Sequence, residues 1–70
     1  MITLAELDNW FTYHAPTDDD KVAYEAIRNA GKLLASTILV NTPASADQSA
    51  AIRKVREAVM TANAAIACKG

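Results

Sequence analysis

The alanine-rich run Ile52-Arg53-Lys54-Val55-Arg56-Glu57-Ala58-Val59-Met60-Thr61-Ala62-Asn63-Ala64-Ala65-Ile66-Ala67 reveals the architecture of this chain. Ile52, Val55, Val59, Ala62 and Ile66 recur at steps of three and four residues, the seam one helix shows to a partner helix. Ala51, Ala58, Met60, Ala65 and Ala67 lie off that seam, and no charged residue occurs from Ala58 through Cys68. A helix apolar on several sides is normally covered on several sides. A chain of 70 residues has little else to cover it with, so the expectation is an all-α chain assembled as a compact homo-oligomer.

Just before that helix, Ser45-Ala46-Asp47-Gln48 has the capping-box pattern that opens it, which sets its span at 45–68. Asn41-Thr42-Pro43-Ala44 is the turn before it. Upstream, Ala23, Ala26, Ile27, Ala30, Leu33, Leu34 and Ile38 keep helical spacing over 18–40, after caps offered by Thr17, Asp18 and Asp19. So short a connection makes the two long helices an antiparallel hairpin. Thr3-Leu4-Ala5-Glu6 is a further capping-box pattern and opens a short helix within 1–12, closed by Trp10 and Phe11. Tyr13-His14-Ala15-Pro16 breaks the pattern, since proline disfavours helical geometry at Ala15. Residues 1–70 therefore read as one helical-hairpin domain with a short N-terminal helix.

Composition narrows the chemistry. Residues 1–20 carry Glu6, Asp8, Asp18, Asp19 and Asp20 and no base, a charge of −5; residues 21–70 carry seven bases against Glu25, Asp47 and Glu57, a charge of +4. That basic part is too small for a DNA-binding face. It suits a small anionic ligand. One His and one Cys build no zinc cluster, and two glycines form no phosphate loop, so neither an enzyme nor a metal or other cofactor is expected. The Asp18-Asp19-Asp20 run reads as a solvated cap matched to the helix dipole. Cys68 reads as a small apolar residue in a reducing compartment. Without a basic start or a membrane-length apolar run, the chain is expected in the cytosol, off the membrane.

Two constellations remain. Lys21, Glu25, Arg28 and Lys32 fall on one stripe of the second helix, and in an antiparallel hairpin Arg56 comes level with Gly31 and Lys32, with Arg53 one turn nearer the turn. Four cations then crowd a short section of the rod, and an anion between them relieves their repulsion. The plainer alternative pairs Arg28 with Glu25 and Arg53 with Glu57 on a solvated face. Gly31 costs about 1 kcal/mol relative to alanine inside a helix, which points to a close approach there. Trp10 and Phe11 are placed to seal the open end of the hairpin. Tyr13 and His14, in the loop beside Pro16, are better placed to meet a ligand.

The motifs Tyr13-His14-x-Pro16, Tyr24-x-x-Ile27-Arg28, Pro43-x-Ser45 and Glu57-Ala58-Val59-Met60-x-Ala62-Asn63-x-x-Ile66-Ala67 resemble the hairpin domain shared by phage proteins that counter CBASS and Thoeris immunity. The likeness runs from about Phe11 to Ala67. It implies a sponge: a homohexamer that sequesters cyclic dinucleotides, cyclic trinucleotides and, in some members, cyclic ADP-ribose isomers without cleaving them, in the cytoplasm of the infected bacterial host. Carried over residue by residue, Tyr13 matches the aromatic that stacks on a base and Arg28 the base near a phosphate. Arg53 or Arg56 matches the third-helix arginine directed at a cyclic trinucleotide. The chain departs from the family at Thr61, where Trp is common, and at Ala46, where a basic residue is common. With the bottom-up constellations added, the candidate ligand-binding residues are Tyr13, His14, Pro16, Arg28, Lys32, Arg53 and Arg56. The rival readings are a structural or protein-binding helical oligomer with no nucleotide ligand and a toxin-antitoxin-like or transcription-regulating partner, which would want a larger basic face than these seven bases provide.

Overall fold

The computed structural model describes residues 1–70 and contains three helices, α1 (Leu4–Trp10), α2 (Asp18–Asn41) and α3 (Ala46–Cys68), with no strand. Each starts on a hydroxyl. Thr3 Oγ1 accepts from the Glu6 N–H, Thr17 Oγ1 from Asp20 and Ser45 Oγ from Gln48, each at 3.1 Å. The full reciprocal box forms at Thr17, where the Asp20 carboxylate also accepts from the Thr17 N–H at 3.0 Å.

At Thr3 and at Ser45 the expected boxes are only half made. Gln48 turns its amide away from the cap and donates instead to the carbonyls of Leu39 at 3.2 Å and Thr42 at 3.0 Å. Those carbonyls end α2 and have no intrahelical donor, so Gln48 ties the two long helices together across the turn. Thr42 and Asn41 complete the work by donating back to Ile38 and Thr37.

α2 and α3 run antiparallel and meet along the expected seam: Ile52, Val55, Val59, Ala62 and Ile66 are all half-buried, against Ala23, Ile27, Gly31, Ala35 and Ile38. Gly31 is the point of closest approach. A Cβ there would stand 2.5 Å from Val59 Cγ2, so only glycine lets the helices close at this level.

α3 ends on Lys69 in the left-handed conformation (φ 58°), with the Gly70 N–H donating to Ala65 O at 2.9 Å and Lys69 N–H to Ile66 O. These are the two bonds of a Schellman motif. Lys69 Nζ then reaches Asp20 Oδ1 at 3.0 Å and ties the end of α3 to the start of α2. α1 folds back on the same end, where Asn9 Nδ2 donates to Cys68 O at 2.9 Å. All three elements are thus fastened where the hairpin would otherwise splay.

No residue of the chain is buried. The molecule measures 44 × 31 × 14 Å with a radius of gyration of 15.1 Å, whereas a compact chain of this length has one of about 11 Å. Its accessible surface is 5645 Å², well above the roughly 4,200 Å² of a compact protein of its mass. The hairpin is a slab little thicker than one helix, and its seam is covered from two sides only. No helix is long and apolar enough to cross a membrane.

Candidate ligand-binding groove

One broad side of the slab carries three cations. Arg28 and Lys32 project a turn apart from α2, and Arg56 faces them from α3 across a groove of about 270 Å³. Its floor is apolar, made by Gly31, Ala35, Ile52, Val55 and Val59, with Met60 at one edge. The floor is the reverse side of the seam. Helical period fixes this grouping: Arg28, Gly31, Lys32 and Ala35 are spaced i, i+3, i+4, i+7, as are Ile52, Val55, Arg56 and Val59.

None of the three cations has a carboxylate partner. The expected pairs of Arg28 with Glu25 and Arg53 with Glu57 do not form, and the single ion pair of the chain is Lys69 with Asp20. Exposed pairs at this spacing are worth only a few tenths of a kcal/mol and are readily given up. Three unpaired cations over an apolar floor suit a ligand that joins phosphate to flat or apolar groups. Guanidinium forks hold phosphate oxygens in pairs, and the floor receives the rest.

The expected ligand-binding residues divide into three. Arg28, Lys32 and Arg56 share the groove. Arg53, one turn nearer the hairpin turn, is not among the residues that line it. Tyr13, His14 and Pro16 lie in the segment between α1 and α2, and Arg28 sits ten residues beyond Asp18, roughly 15 Å farther along the helix. Tyr13 and the groove are therefore separate in one chain. Tyr13 is 84% exposed. His14 is occupied, its Nε2 lying 2.7 Å from Asn9 O in a part-buried contact that shapes the break after α1. Pro16 is exposed just before the Thr17 cap.

The aromatic seal is only partial. Trp10 is 46% exposed and borders a hollow with Thr61, Ala64, Ala65, Cys68 and Gly70, while Phe11 is 85% exposed. Phe11 thus seals nothing within the chain, because the turn at its own position swings it off the hairpin. Asn63, three residues beyond Met60, buries its Oδ1 without a hydrogen-bond partner. Nothing in its sequence context signals that. The Asp20–Lys69 and Asn9–Cys68 ties also escape sequence reasoning, since both join residues far apart in the chain.

The Asp20 carboxyl is moved from its ordinary value. The Thr17 N–H first, and the Lys69 ammonium second, stabilise its charged form and hold it below the usual range. No group of three or more His, Cys, Asp or Glu side chains is placed to hold a metal ion.

Comparison with known families gives one match, to the Acb2/Tad1 hairpin domain, over residues 3–67. No curated protein and no solved structure matches the chain. The match covers nearly the whole sequence, and the chain belongs to the Acb2/Tad1 hairpin family, which groups anti-CBASS and anti-Thoeris proteins.

Proposed function

We propose that this protein is a phage immune-evasion sponge that binds cyclic oligonucleotide messengers and holds them without cleavage. The observation that carries the reading is the groove in which Arg28, Lys32 and Arg56 face an apolar floor with no acid to neutralise them. Cyclic dinucleotides and cyclic trinucleotides combine phosphates with flat bases and fit that chemistry. Cyclic ADP-ribose isomers are the further class to be tried.

Size supports a shared site. A groove of about 270 Å³ falls below the ~300–1,000 Å³ of pockets that enclose drug-sized ligands, so a second chain completes the enclosure. In the proposed homohexamer, Tyr13 of one chain stacks on a base while Arg28 of another holds a phosphate, repeated about a two-fold axis. Arg53 or Arg56 gathers about a three-fold axis for cyclic trinucleotides. The protein acts in the cytoplasm of the infected host. The family match to a binding domain supports binding without chemistry.

The test is calorimetric titration of the purified protein against a panel of cyclic di- and trinucleotides and cyclic ADP-ribose isomers. Each complex is then heat-denatured and the released ligand chromatographed. Saturable binding with quantitative recovery of the starting nucleotide is expected. Linear products that accumulate with time, or no binding across the panel, refute the reading.

A further inference from the structure

Tyr13 is 84% exposed, yet the residues on either side of it are both fastened. Thr12 Oγ1 donates to Asp8 O, and His14 Nε2 donates to Asn9 O at 2.7 Å. These are consecutive carbonyls in the last turn of α1, where no intrahelical donor serves them. Asn9 carries the tie onward: its Nδ2 donates to Cys68 O at 2.9 Å, and its carbonyl stands 3.8 Å from Cys68 Sγ. The segment that bears Tyr13 is thereby anchored to the last turn of α3. Pro16 and the Thr17 cap fix its other end.

We propose that His14 is a positioning residue, which meets no ligand itself and, through Asn9, holds Tyr13 ready to stack on a base. That role rests on the stacking assigned to Tyr13 above and adds the device that aims the ring.

The contact decides what the His14 ring can do. A carbonyl oxygen only accepts, so Nε2 carries the hydrogen and uses it inside the chain. His14 is half-buried while its neighbour Tyr13 is exposed, so one side chain faces the body of the protein and the other faces out. The bond spans five residues, beyond the four-residue step of a helix. It therefore closes a loop around Phe11, Thr12 and Tyr13 instead of prolonging α1. An aromatic on a loose segment loses backbone freedom when it meets a base, and that loss weakens binding. Fixing Thr12 and His14 beforehand removes much of it, and leaves the ring free of contacts that a ligand would have to displace.

The experiment reads Tyr13 first without ligand and then with it. NMR relaxation of the full chain gives the order parameter of the Tyr13 amide in wild type, His14→Ala, His14→Gln and His14→Asn. A glutamine amide reaches the place of Nε2 and restores the donor, whereas an asparagine amide falls short of it. Order parameters of about 0.85 are expected in wild type and His14→Gln, and below about 0.6 in His14→Ala and His14→Asn. Calorimetric titration with cyclic di-AMP and cyclic di-GMP follows on the same variants, on Tyr13→Ala and on the double variant Tyr13→Ala/His14→Ala. His14→Ala is expected to weaken binding roughly five- to ten-fold, as the loss of one hydrogen bond does, and His14→Gln to stay within about two-fold of wild type. In the Tyr13→Ala background, His14→Ala should change nothing further, because a residue that acts through another has no effect in its absence. An unchanged order parameter in His14→Ala, or an equal loss of affinity with and without Tyr13, overturns the proposal. Should His14→Ala not fold, the contrast between His14→Gln and His14→Asn decides by the same readouts. Absence of binding by the wild type is a failure of the sponge reading, and the order parameters need no ligand, so the two failures are told apart.

Discussion

Gly31 and Val59 meet so closely that a single added methyl group would occupy the space of a side-chain carbon: the position of a Cβ on Gly31 is 2.5 Å from Val59 Cγ2. Val59 is β-branched and stiff about its first torsion, and it cannot swing clear. The same two residues underlie both broad sides of the hairpin. Their distance sets the spacing of α2 and α3.

Gly31→Ala is therefore expected to destabilise the protein although alanine is the better helix former. Overpacking costs about 1–3 kcal/mol against a helical gain of about 1 kcal/mol, leaving a net loss of roughly 1 kcal/mol. Thermal denaturation should show a Tm lower by several degrees. In the Val59→Ala background the same substitution should become stabilising, and a higher Tm for Gly31→Ala in wild type would show that the contact is not tight.

Arg28→Ala and Arg56→Ala each remove charged donors from the groove. Hydrogen bonds to charged groups contribute about 1.5–3 kcal/mol, so cyclic dinucleotide affinity should fall ten- to a hundred-fold in the Arg28 variant. Affinity for the wild type should also weaken as salt rises. Calorimetry on variants of unchanged oligomer size checks this. Unaltered affinity in Arg28→Ala would remove the groove from the site.

Arg53 lies outside that groove and gives a contrast within one helix. If Arg56 is the third-helix arginine that meets the ligand, Arg53→Ala should leave trinucleotide affinity within about two-fold of wild type while Arg56→Ala reduces it at least ten-fold. The opposite ranking would assign the role to Arg53.

Tyr13→Ala should cost about 1–3 kcal/mol for each base that stacks on the ring, and Tyr13→Phe should retain most of the affinity. The ring makes no covering contact that its loss would expose, so the melting temperature without ligand should barely change. A melting temperature that falls with the affinity would mark Tyr13 as structural.

Acid should loosen the open end of the hairpin first. Asp20 has its carboxyl held below the ordinary value by the Thr17 N–H and Lys69. Its contribution to stability is thus present above the unfolded-state value of about 3.9 and is lost as pH falls through the lower folded value. Asp20→Asn should be less stable than wild type at neutral pH, with the gap narrowing below about pH 4. Melting curves across pH 2–7 test it, and a constant gap would mean the carboxylate's charge is irrelevant.

Much of the architecture was legible in the sequence because it depends on period. The five seam residues of α3, from Ile52 to Ile66, are all half-buried, and the capping hydroxyls of Thr3, Thr17 and Ser45 mark the three helix starts. Helical spacing also brought Arg28, Lys32 and Arg56 together. What escaped depends on side chains choosing among partners. Gln48 favours distant carbonyls over its own cap, and Asp20 takes Lys69 from the far end of the chain. Phe11 was expected to seal the hairpin and instead projects outward, because one residue of turn at a helix end redirects a side chain by more than periodicity can register.

A depth of 14 Å is close to the ~10–12 Å diameter of a single helix with its side chains. There is consequently no scaffold hidden behind a working surface, as larger proteins have. Gly31, Val55 and Val59 are framework and lining at once, on two sides. An alteration that retunes one side is felt on the other without any relay between them. Economy of length thus comes at the expense of independence, and the two sides of this protein must vary together.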